Sequence, residues 1–312
     1  MAFIKKKKKL LASLACLVIV VVSLFGVAHS GLIAQMLRNE DLVSPSNFGL
    51  DYSSVSFPAS DGLTIRGWLL ETSIDAPIVI FLHGILANRA TPSERVFGIA
   101  GQLVQNGYNI LMFDFRAQGE SGGKKITAGV DESDDLLSAI KYLREEGFGG
   151  KIGVLGFSMG AATALLTSAK TNEISAVVAD SSYTDVLSII KALFEKKNIP
   201  YILAPICIYG VKLFYGVDFG KISPLNALRQ ISIPVFVIHG GQDNTVPVEE
   251  AYQLREVIKN KKSEFWIVPE AEHADAYFAR PQEYVNRLLS FLHDVLDTSS
   301  VASPNVIVGS VS

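Results

Sequence analysis

Cysteine is almost absent from this chain of 312 residues. The two cysteines, Cys16 and Cys207, lie far apart and predict neither a disulfide framework nor a zinc motif. We interpret Cys207 as a small buried hydrophobic residue. Basic clusters are missing after residue 10, which argues against a nucleic-acid partner. Histidine is also rare, and the five histidines leave few candidates for a general base.

Positive charge is concentrated at the N-terminus, although the formal net charge of the chain is −3. Five consecutive lysines at positions 5–9 precede an uncharged, largely apolar run at 10–28. A run of about 20 apolar residues is long enough to span a bilayer, and the lysines should stay on the cytoplasmic side. We therefore expect a membrane anchor with the remainder of the chain outside the cytoplasm. The alternative is a signal peptide that is cleaved near residues 28–30, which would release a secreted protein.

From about residue 52 onwards, short apolar runs alternate with helical patterns. The pattern predicts a hairpin at 52–57 and 64–71, then buried strands at 77–82, 109–113, 151–155, 174–179, 234–238 and 264–268. Helices are predicted at 92–106, 131–146, 158–170, 248–260 and 281–295. This alternation favours a mostly parallel sheet of about eight strands, with helices on both faces. We expect a basic region at 1–9, the anchor or signal at 10–28, a connector at 29–51, one domain at 52–296 and a flexible tail at 297–312.

A Gly-Phe-Ser-Met-Gly run occupies residues 156–160, between an apolar run and an alanine-rich stretch. A G-x-S-x-G run at a strand-to-helix turn presents the serine hydroxyl at the edge of a sheet. Gly156 and Gly160 leave the space that such a tight turn needs. The sequence therefore predicts Ser158 as a nucleophile.

A serine nucleophile needs a base to take its proton and a third group to orient that base. His273 lies in an irregular stretch after the last predicted strand, where an open α/β sheet collects its active groups. His83 and His239 each end a predicted strand, and His293 lies inside the last predicted helix, on a face expected to be packed. We predict that His273 is the base.

Three aspartates follow predicted strands. Asp243 gives the chain order Ser, Asp, His, which is the order of the nucleophile-elbow hydrolases. Asp180 is the competing candidate. We interpret Asp114 as a structural residue that ties down the loop at 114–121. The predicted acid is Asp243.

An acyl-transfer reaction also needs donors for its developing oxyanion, and the loss of one typically costs about 2.7–4 kcal/mol. We predict that the backbone N–H groups of Met159 and Ile85 fill this role. Gly84 allows the loop that carries Ile85 to approach the substrate closely. His83 is expected to brace this loop by hydrogen bonding.

Taken together, these motifs resemble the α/β-hydrolase superfamily over about residues 52–296. The resemblance rests on His83-Gly84, the segments 114–121, 156–160 and 241–247, and His273. More narrowly, the chain is similar to membrane-anchored bacterial hydrolases of the serine aminopeptidase-like and Bem46-like branches. The resemblance implies an α/β-hydrolase fold. It also implies that dehalogenase and epoxide-hydrolase relatives use a carboxylate nucleophile, and the serine at position 158 argues against those relatives. Ala117 departs from the glycine that many relatives have in this loop, which puts no catalytic role in doubt.

Residues 181–233 interrupt the alternation and are too many for a simple crossover. An amphipathic helix is predicted at 185–197, and residues 201–215 are richly apolar and aromatic. We expect this insertion to form a helical cap that provides an apolar pocket over Ser158. Ordinary helical packing on the sheet is the alternative. A cap near a membrane could also admit lipid-like substrates.

The predicted reaction is hydrolysis of a carboxylic ester, with a small-molecule acyl substrate and no metal or organic cofactor. The same groups could cleave a peptide or a thioester, or transfer the acyl group to another alcohol. An acid in the cap that binds the N-terminal amine of a substrate would favour a peptidase of the aminopeptidase type. Glu195 is a weak candidate, and we favour a solvated helix face as its role. A catalytically silent, membrane-tethered binding protein is the alternative from another class. No pattern predicts the oligomeric state.

Overall fold

The structure is a computed structural model that describes residues 43–296. The predicted basic region, the predicted anchor or signal and the predicted tail lie outside these residues, as does most of the predicted connector. Within the described residues, no helix is long and apolar enough to cross a membrane. The end of the connector forms a 3-10 turn, Pro45–Phe48, and the ring of Phe48 lies 4.9 Å from that of Phe97.

One eight-stranded sheet runs through the centre of the domain, in the order β1-β2-β4-β3-β5-β6-β7-β8. The strands are β1 (Ser53–Pro58), β2 (Thr64–Leu70), β3 (Ile78–Leu82), β4 (Asn109–Phe113), β5 (Ile152–Phe157), β6 (Ile174–Asp180), β7 (Val235–Gly240) and β8 (Glu264–Val268). β2 pairs antiparallel with β1 and β4, and every other pair is parallel. Strands β3, β4, β5 and β7 are buried at every position, as continuous apolar runs predict. The predicted mostly parallel sheet is confirmed.

Helices cover both faces of the sheet, as the alternation predicts. They are α1 (Ser93–Gln105), α2 (Val130–Glu145), α3 (Met159–Ser168), α4 (Val186–Lys196), α5 (Ala204–Tyr215), α6 (Pro224–Leu228), α7 (Val248–Val257), α8 (Ala276–Ala279) and α9 (Pro281–Leu296). The core on one face includes α1 and α9, and the core on the other includes α2, α3 and α7. Helix α7 ends three residues before its predicted end, because Ile258 is already extended.

The insertion between β6 and β7 consists of α4, α5, α6 and two 3-10 turns, Tyr201–Leu203 and Phe219–Lys221. Asp185 caps α4 by accepting a hydrogen bond of 2.8 Å from the N–H of Ser188. A small apolar cluster joins the insertion to the domain, and its members are Tyr183, Val186, Val217 and Ile222 with Ala162 of α3 and Val246 after β7. The insertion is therefore attached at the carboxyl edge of the sheet.

Two expectations about side-chain exposure are wrong. Cys207 is exposed on α5, whose buried positions, among the side chains that the structure describes, are Ala204 and Gly210. His293 is exposed on α9, whose buried face is formed by larger residues such as Leu288 and Leu292. Apolar neighbours in the sequence therefore did not predict whether either side chain faces the core or the solvent.

Candidate active site

Ser158 occupies the turn between β5 and α3 in a strained conformation, with φ 53° and ψ −115°. Its N–H donates to the carbonyl of Asp180 over 2.8 Å, which fixes the turn against β6. A Cβ on Gly156 would overlap the backbone of Gly160, and a Cβ on Gly160 would overlap the carbonyl of Leu82. The two glycines are therefore required by close backbone contacts, and the strain is held at the one residue between strand and helix.

The structure brings Ser158, His273 and Asp243 together, although they come from three separate loops. The Nε2 of His273 lies 2.9 Å from the Oγ of Ser158, and its Nδ1 lies 2.7 Å from the Oδ2 of Asp243. A carboxylate can only accept, so Nδ1 carries the proton that is donated to Asp243. The other ring nitrogen is then free to accept the proton of the serine hydroxyl.

Asp243 is buried, and its two oxygens are held from different sides. Its Oδ1 accepts from the N–H groups of Thr245 and Val246, each over 2.8 Å. On the other side, the Nε2 of His239 lies 3.3 Å from Oδ2 and 2.9 Å from the carbonyl of Val246. Both neighbours of this nitrogen are acceptors, so it carries a proton, which it donates to the carbonyl of Val246. The ring of His239 thus lies beside the carboxylate that contacts His273.

The loop after β3 lies against Ser158. A Cβ on Gly84 would sit 3.5 Å from the Cβ of Ser158, so the backbone of this loop passes close to the turn that carries Ser158. Ile85 follows, and its side chain is half exposed. Met159 is the first residue of α3, where a backbone N–H has no partner within the helix. The two predicted oxyanion donors thus belong to segments that border Ser158.

His83 braces this loop in a neutral form. Its Nε2 accepts from the N–H of Phe115 over 3.0 Å, so its Nδ1 carries the proton and donates to the carbonyl of Gly84 over 2.7 Å. Burial lowers the pKa of the imidazole, which agrees with this arrangement of donor and acceptor. These two hydrogen bonds join the Gly84 carbonyl to the backbone that follows β4.

The two other candidate acids have different neighbours. Asp114 accepts from the backbone N–H of Arg89 and of Glu120 and pairs with the Arg89 guanidinium over 2.6 Å, so it ties down its loop as predicted. Asp180 accepts from the hydroxyls of Ser181 and Tyr284, each over 3.0 Å. Burial raises the pKa of the Asp180 carboxyl. Neither aspartate forms a hydrogen bond with His273 within the described residues.

Sequence reasoning missed the residues that hold the His273 loop. The N–H of Ala274 donates to the Oγ of Ser181, and its carbonyl accepts from the guanidinium of Arg95. The guanidinium of Arg95 also lies 3.9 Å from the centre of the Phe157 ring. Ser181 and Arg95 are 93 and 179 residues from Ala274 in the chain, and no local pattern could have connected them.

The insertion contains a groove of about 370 Å³ that is separate from these residues. Asp185, Lys191, Tyr201 and Asn226 are among the residues that line it. Glu195, the candidate acid for a peptidase, is exposed beside Lys191 on α4, with 4.0 Å between the charged atoms. Among residues 43–296, no cluster of three or more His, Cys, Asp or Glu side chains is arranged to hold a metal ion.

Comparison with known proteins gives the class to which this fold and site correspond. A family model described as the alpha/beta hydrolase fold matches residues 77–198. The Pyrococcus furiosus esterase Pf2001 is 30% identical, with a TM-score of 0.70 over 83% of this chain and 97% of the esterase chain. The chain therefore belongs to the α/β-hydrolase family and is a hydrolase.

Within that family the chain is Bem46-like. It is 25% identical to the protein bem46 of Schizosaccharomyces pombe, over 76% of this chain and 75% of that protein. It is also 26% identical to the protein YqkD of Bacillus subtilis, over 94% of this chain and 99% of YqkD. The similarity to YqkD thus extends over nearly the whole length of both chains.

Proposed function

We propose that this protein is a serine hydrolase that cleaves carboxylic esters through an acyl-enzyme intermediate. The observation that carries the proposal is the hydrogen-bonded series from Ser158 through His273 to Asp243, with distances of 2.9 and 2.7 Å. Such a series makes a serine hydroxyl reactive because the imidazole can take its proton and the carboxylate stabilises the resulting cation. The similarity to an esterase that is 30% identical favours an ester as the substrate.

In the proposed reaction, the Oγ of Ser158 attacks the acyl carbon of the ester while its proton passes to the Nε2 of His273. The same proton is then given to the leaving alcohol, and an acyl-enzyme remains. His273 next removes a proton from a water molecule that attacks the acyl carbon, and Ser158 leaves with that proton. Asp243 stays ionised throughout and keeps the imidazole in the required tautomer.

The backbone N–H groups of Met159 and Ile85 are the proposed donors to the oxyanion of the tetrahedral intermediate. The close approach of Gly84 to Ser158 supports this assignment, because it brings the loop after β3 to the position where an acyl oxygen would lie. Neutral His83 holds the Gly84 carbonyl and so fixes the direction of the peptide group that follows.

We also propose that the insertion at 181–233, within a hydrolase domain at 52–296, acts as a cap beside this site. Its support is the attachment of the insertion to the Asp243 loop: Val217 and Ile222 pack with Val246, and Lys196 donates to the carbonyl of Asn244. The exposed position of Glu195 gives no support to a site for a peptide N-terminus. We therefore favour esters over peptides.

Labelling with a fluorophosphonate probe tests the nucleophile. The wild-type protein should label, Ser158→Ala should not, and Ser168→Ala is a control because it removes a buried hydroxyl further along the same helix. Loss of either Ser158 or His273 should reduce kcat on short p-nitrophenyl esters by roughly 10⁶-fold. Faster turnover of aminoacyl anilides than of these esters would indicate a peptidase instead.

The location of the protein is a separate proposal. We propose that residues 10–28 anchor the chain in a membrane and that the domain lies outside the cytoplasm, as the uncharged run and the lysines before it favour. Carbonate extraction of membranes from cells that express the full chain tests this. Recovery of a shortened, soluble form would support the alternative of a cleaved signal peptide.

A further inference from the structure

Exposed apolar side chains are concentrated on one part of the insertion. Seven of the fifteen large hydrophobic residues that are exposed in the described chain lie between positions 193 and 213. We call six of them the apolar ridge: Leu193, Ile199, Ile202, Leu203, Tyr209 and Leu213. Ile202, Tyr209 and Leu213 are 81%, 66% and 64% exposed. Soluble surfaces rarely expose large apolar patches without a partner or a membrane to cover them.

Helix α5, which carries part of the ridge, is apolar around nearly its whole circumference. Lys212 is the single charged residue among its twelve. A helix of this composition normally lies in a protein core or in a membrane. Among the positions of α5 whose side chains the structure describes, the buried ones are the small residues Ala204 and Gly210. Val211 is partly buried against the apolar cluster that joins the insertion to the domain. Tyr209 and Leu213 are four residues apart and therefore lie on the same face.

The insertion that carries the ridge is also positively charged, although Lys191 lies 4.0 Å from Glu195 and Lys212 pairs with Asp218 over 2.8 Å. Residues 181–233 contain six Lys or Arg and three Asp or Glu, a net charge of +3 in a chain whose total is −3. Lys191, Lys196, Lys197, Lys212 and Lys221 are all exposed. Apolar and aromatic side chains flanked by lysines are typical of surfaces that enter the boundary between lipid headgroups and acyl chains. Anionic lipids attract such lysines within a Debye length of the membrane.

We infer that the apolar ridge docks the domain on the surface of an anionic lipid bilayer. The ridge side chains enter the boundary between headgroups and acyl chains, and the lysines around them contact lipid phosphates. Because the insertion leaves the sheet at its carboxyl edge, docking turns that edge toward the lipid. The inference is carried by the exposure of the ridge and by the positive charge of the insertion. Neither observation depends on the proposed hydrolase activity.

The proposed anchor would hold the domain close to a membrane. Fourteen residues, 29–42, separate the uncharged run from the first described residue, and an extended chain of that length reaches at most about 50 Å. A second copy of this chain is the other occupant to consider. A two-fold interface would bring together two insertions that each carry a net charge of +3, and this repulsion disfavours it.

The exposed thiol of Cys207 on α5 allows a direct test in the full chain. In a Cys16→Ser background, Cys207 is labelled with an environment-sensitive fluorophore. The protein is reconstituted in vesicles of equal parts phosphatidylcholine and phosphatidylglycerol that carry a quencher on the acyl chains. The matched control carries the fluorophore at Ile74→Cys, with Cys207→Ser. Ile74 is also exposed, but it precedes β3 at the opposite edge of the sheet.

Docking predicts several-fold stronger quenching and a blue-shifted emission at Cys207 compared with position 74. Quenching at Cys207 should fall when phosphatidylglycerol is left out, and also in Lys196→Glu/Lys197→Glu. Equal quenching at the two positions would overturn the inference. So would a blue shift at Cys207 that rises with protein concentration in quencher-free detergent, since a second copy would then cover the ridge.

Discussion

The hydroxyl of Ser181 lies 3.0 Å from the backbone nitrogen of Ala274 and accepts its hydrogen bond, one residue beyond His273. The same hydroxyl donates to the carboxyl of Asp180, which also accepts a hydrogen bond from the hydroxyl of Tyr284. A buried polar network thus runs from α9 through the end of β6 to the loop that carries the proposed base. The position of His273 therefore depends on residues that never touch a substrate.

Ser181→Ala should lower kcat by about 10- to 100-fold, since small misplacements of a catalytic group have effects of this size. KM for p-nitrophenyl esters should change little, because Ser181 does not face the substrate. The partly buried N–H of Ala274 loses its partner, so the free energy of unfolding should fall by about 1 kcal/mol. Ser168→Ala, a buried serine at the end of α3, is the control, and its kcat should equal that of the wild type. A normal kcat in Ser181→Ala would mean that the network does not position the imidazole.

The two glycines on either side of Ser158 should respond differently to alanine. In Gly160→Ala the new methyl would overlap the Leu82 carbonyl and lie 2.7 Å from that of His83, and backbone atoms cannot move aside. We expect little folded protein. In Gly84→Ala the methyl would lie 3.5 Å from the Cβ of Ser158, which is an ordinary contact distance.

Gly84→Ala should therefore fold but react slowly, because the methyl group occupies space beside the nucleophile. We expect near-native circular dichroism and a rate of fluorophosphonate labelling that falls by about tenfold or more. Labelling of Gly84→Ala at the wild-type rate would contradict the close approach of this loop to the reacting centre.

The strands and the order of the site residues could be predicted because the signals are local. Fully buried parallel strands appear as continuous apolar runs, and β3 and β4 match such runs closely. The turn at Ser158 requires glycines at fixed positions, so five consecutive residues are enough to predict its geometry. Asp243 and His273 could be selected because active groups gather after the strands of such a sheet.

The remaining features depend on contacts between distant residues or on which way a helix faces. Ser181 and Arg95 contact the His273 loop across 93 and 179 residues, and neither belongs to a motif. The apolar sequence of α5 predicted a buried Cys207, but the helix turns its small residues inward and leaves that thiol exposed. Periodicity gives the relative positions of side chains on a helix, not the environment that each face meets.

Asp114 and Asp243 are both buried aspartates that follow strands, and the same substitution should separate their roles. In Asp243→Asn, an amide NH₂ group facing His273 would favour the wrong imidazole tautomer, and kcat should fall by about 10⁴-fold. Asp114→Asn removes the buried one of the two carboxylates that pair with Arg89 and leaves the half-exposed Glu120, so the free energy of unfolding should fall by about 1–3 kcal/mol.

Activity per folded molecule should remain near the wild-type level in Asp114→Asn, provided that the assay temperature lies below its unfolding transition. Urea unfolding measures the free energy of unfolding. Active-site titration with a fluorophosphonate counts the reactive molecules, so that activity can be expressed per folded molecule. A loss of kcat in Asp114→Asn as large as that in Asp243→Asn would mean that the Asp114 loop also takes part in the reaction.

His83 should make the stability of the domain depend on pH. Burial lowers the pKa of His83 in the folded protein below its ordinary value of 6.5, and its hydrogen bonds with Gly84 and Phe115 require the neutral ring. The unfolded chain takes up this proton near the ordinary value. Stability from His83 is therefore fully present above about pH 6.5 and is lost as the pH falls toward the lowered pKa of the folded state. One proton gives a slope of at most about 1.4 kcal/mol per pH unit.

His83→Gln removes the titration, while its amide can still donate and accept. Urea unfolding from about pH 7.5 to about pH 5 should therefore show a shallower loss of stability in His83→Gln than in the wild type. The slope is the quantity to compare, because the substitution can also shift stability equally at every pH. His293→Gln, at an exposed position on α9, should keep the wild-type slope. Parallel curves of stability against pH for the wild type and His83→Gln would show that His83 is not held neutral by the fold. The hydrogen bond of His83 with the Gly84 carbonyl would then need another explanation.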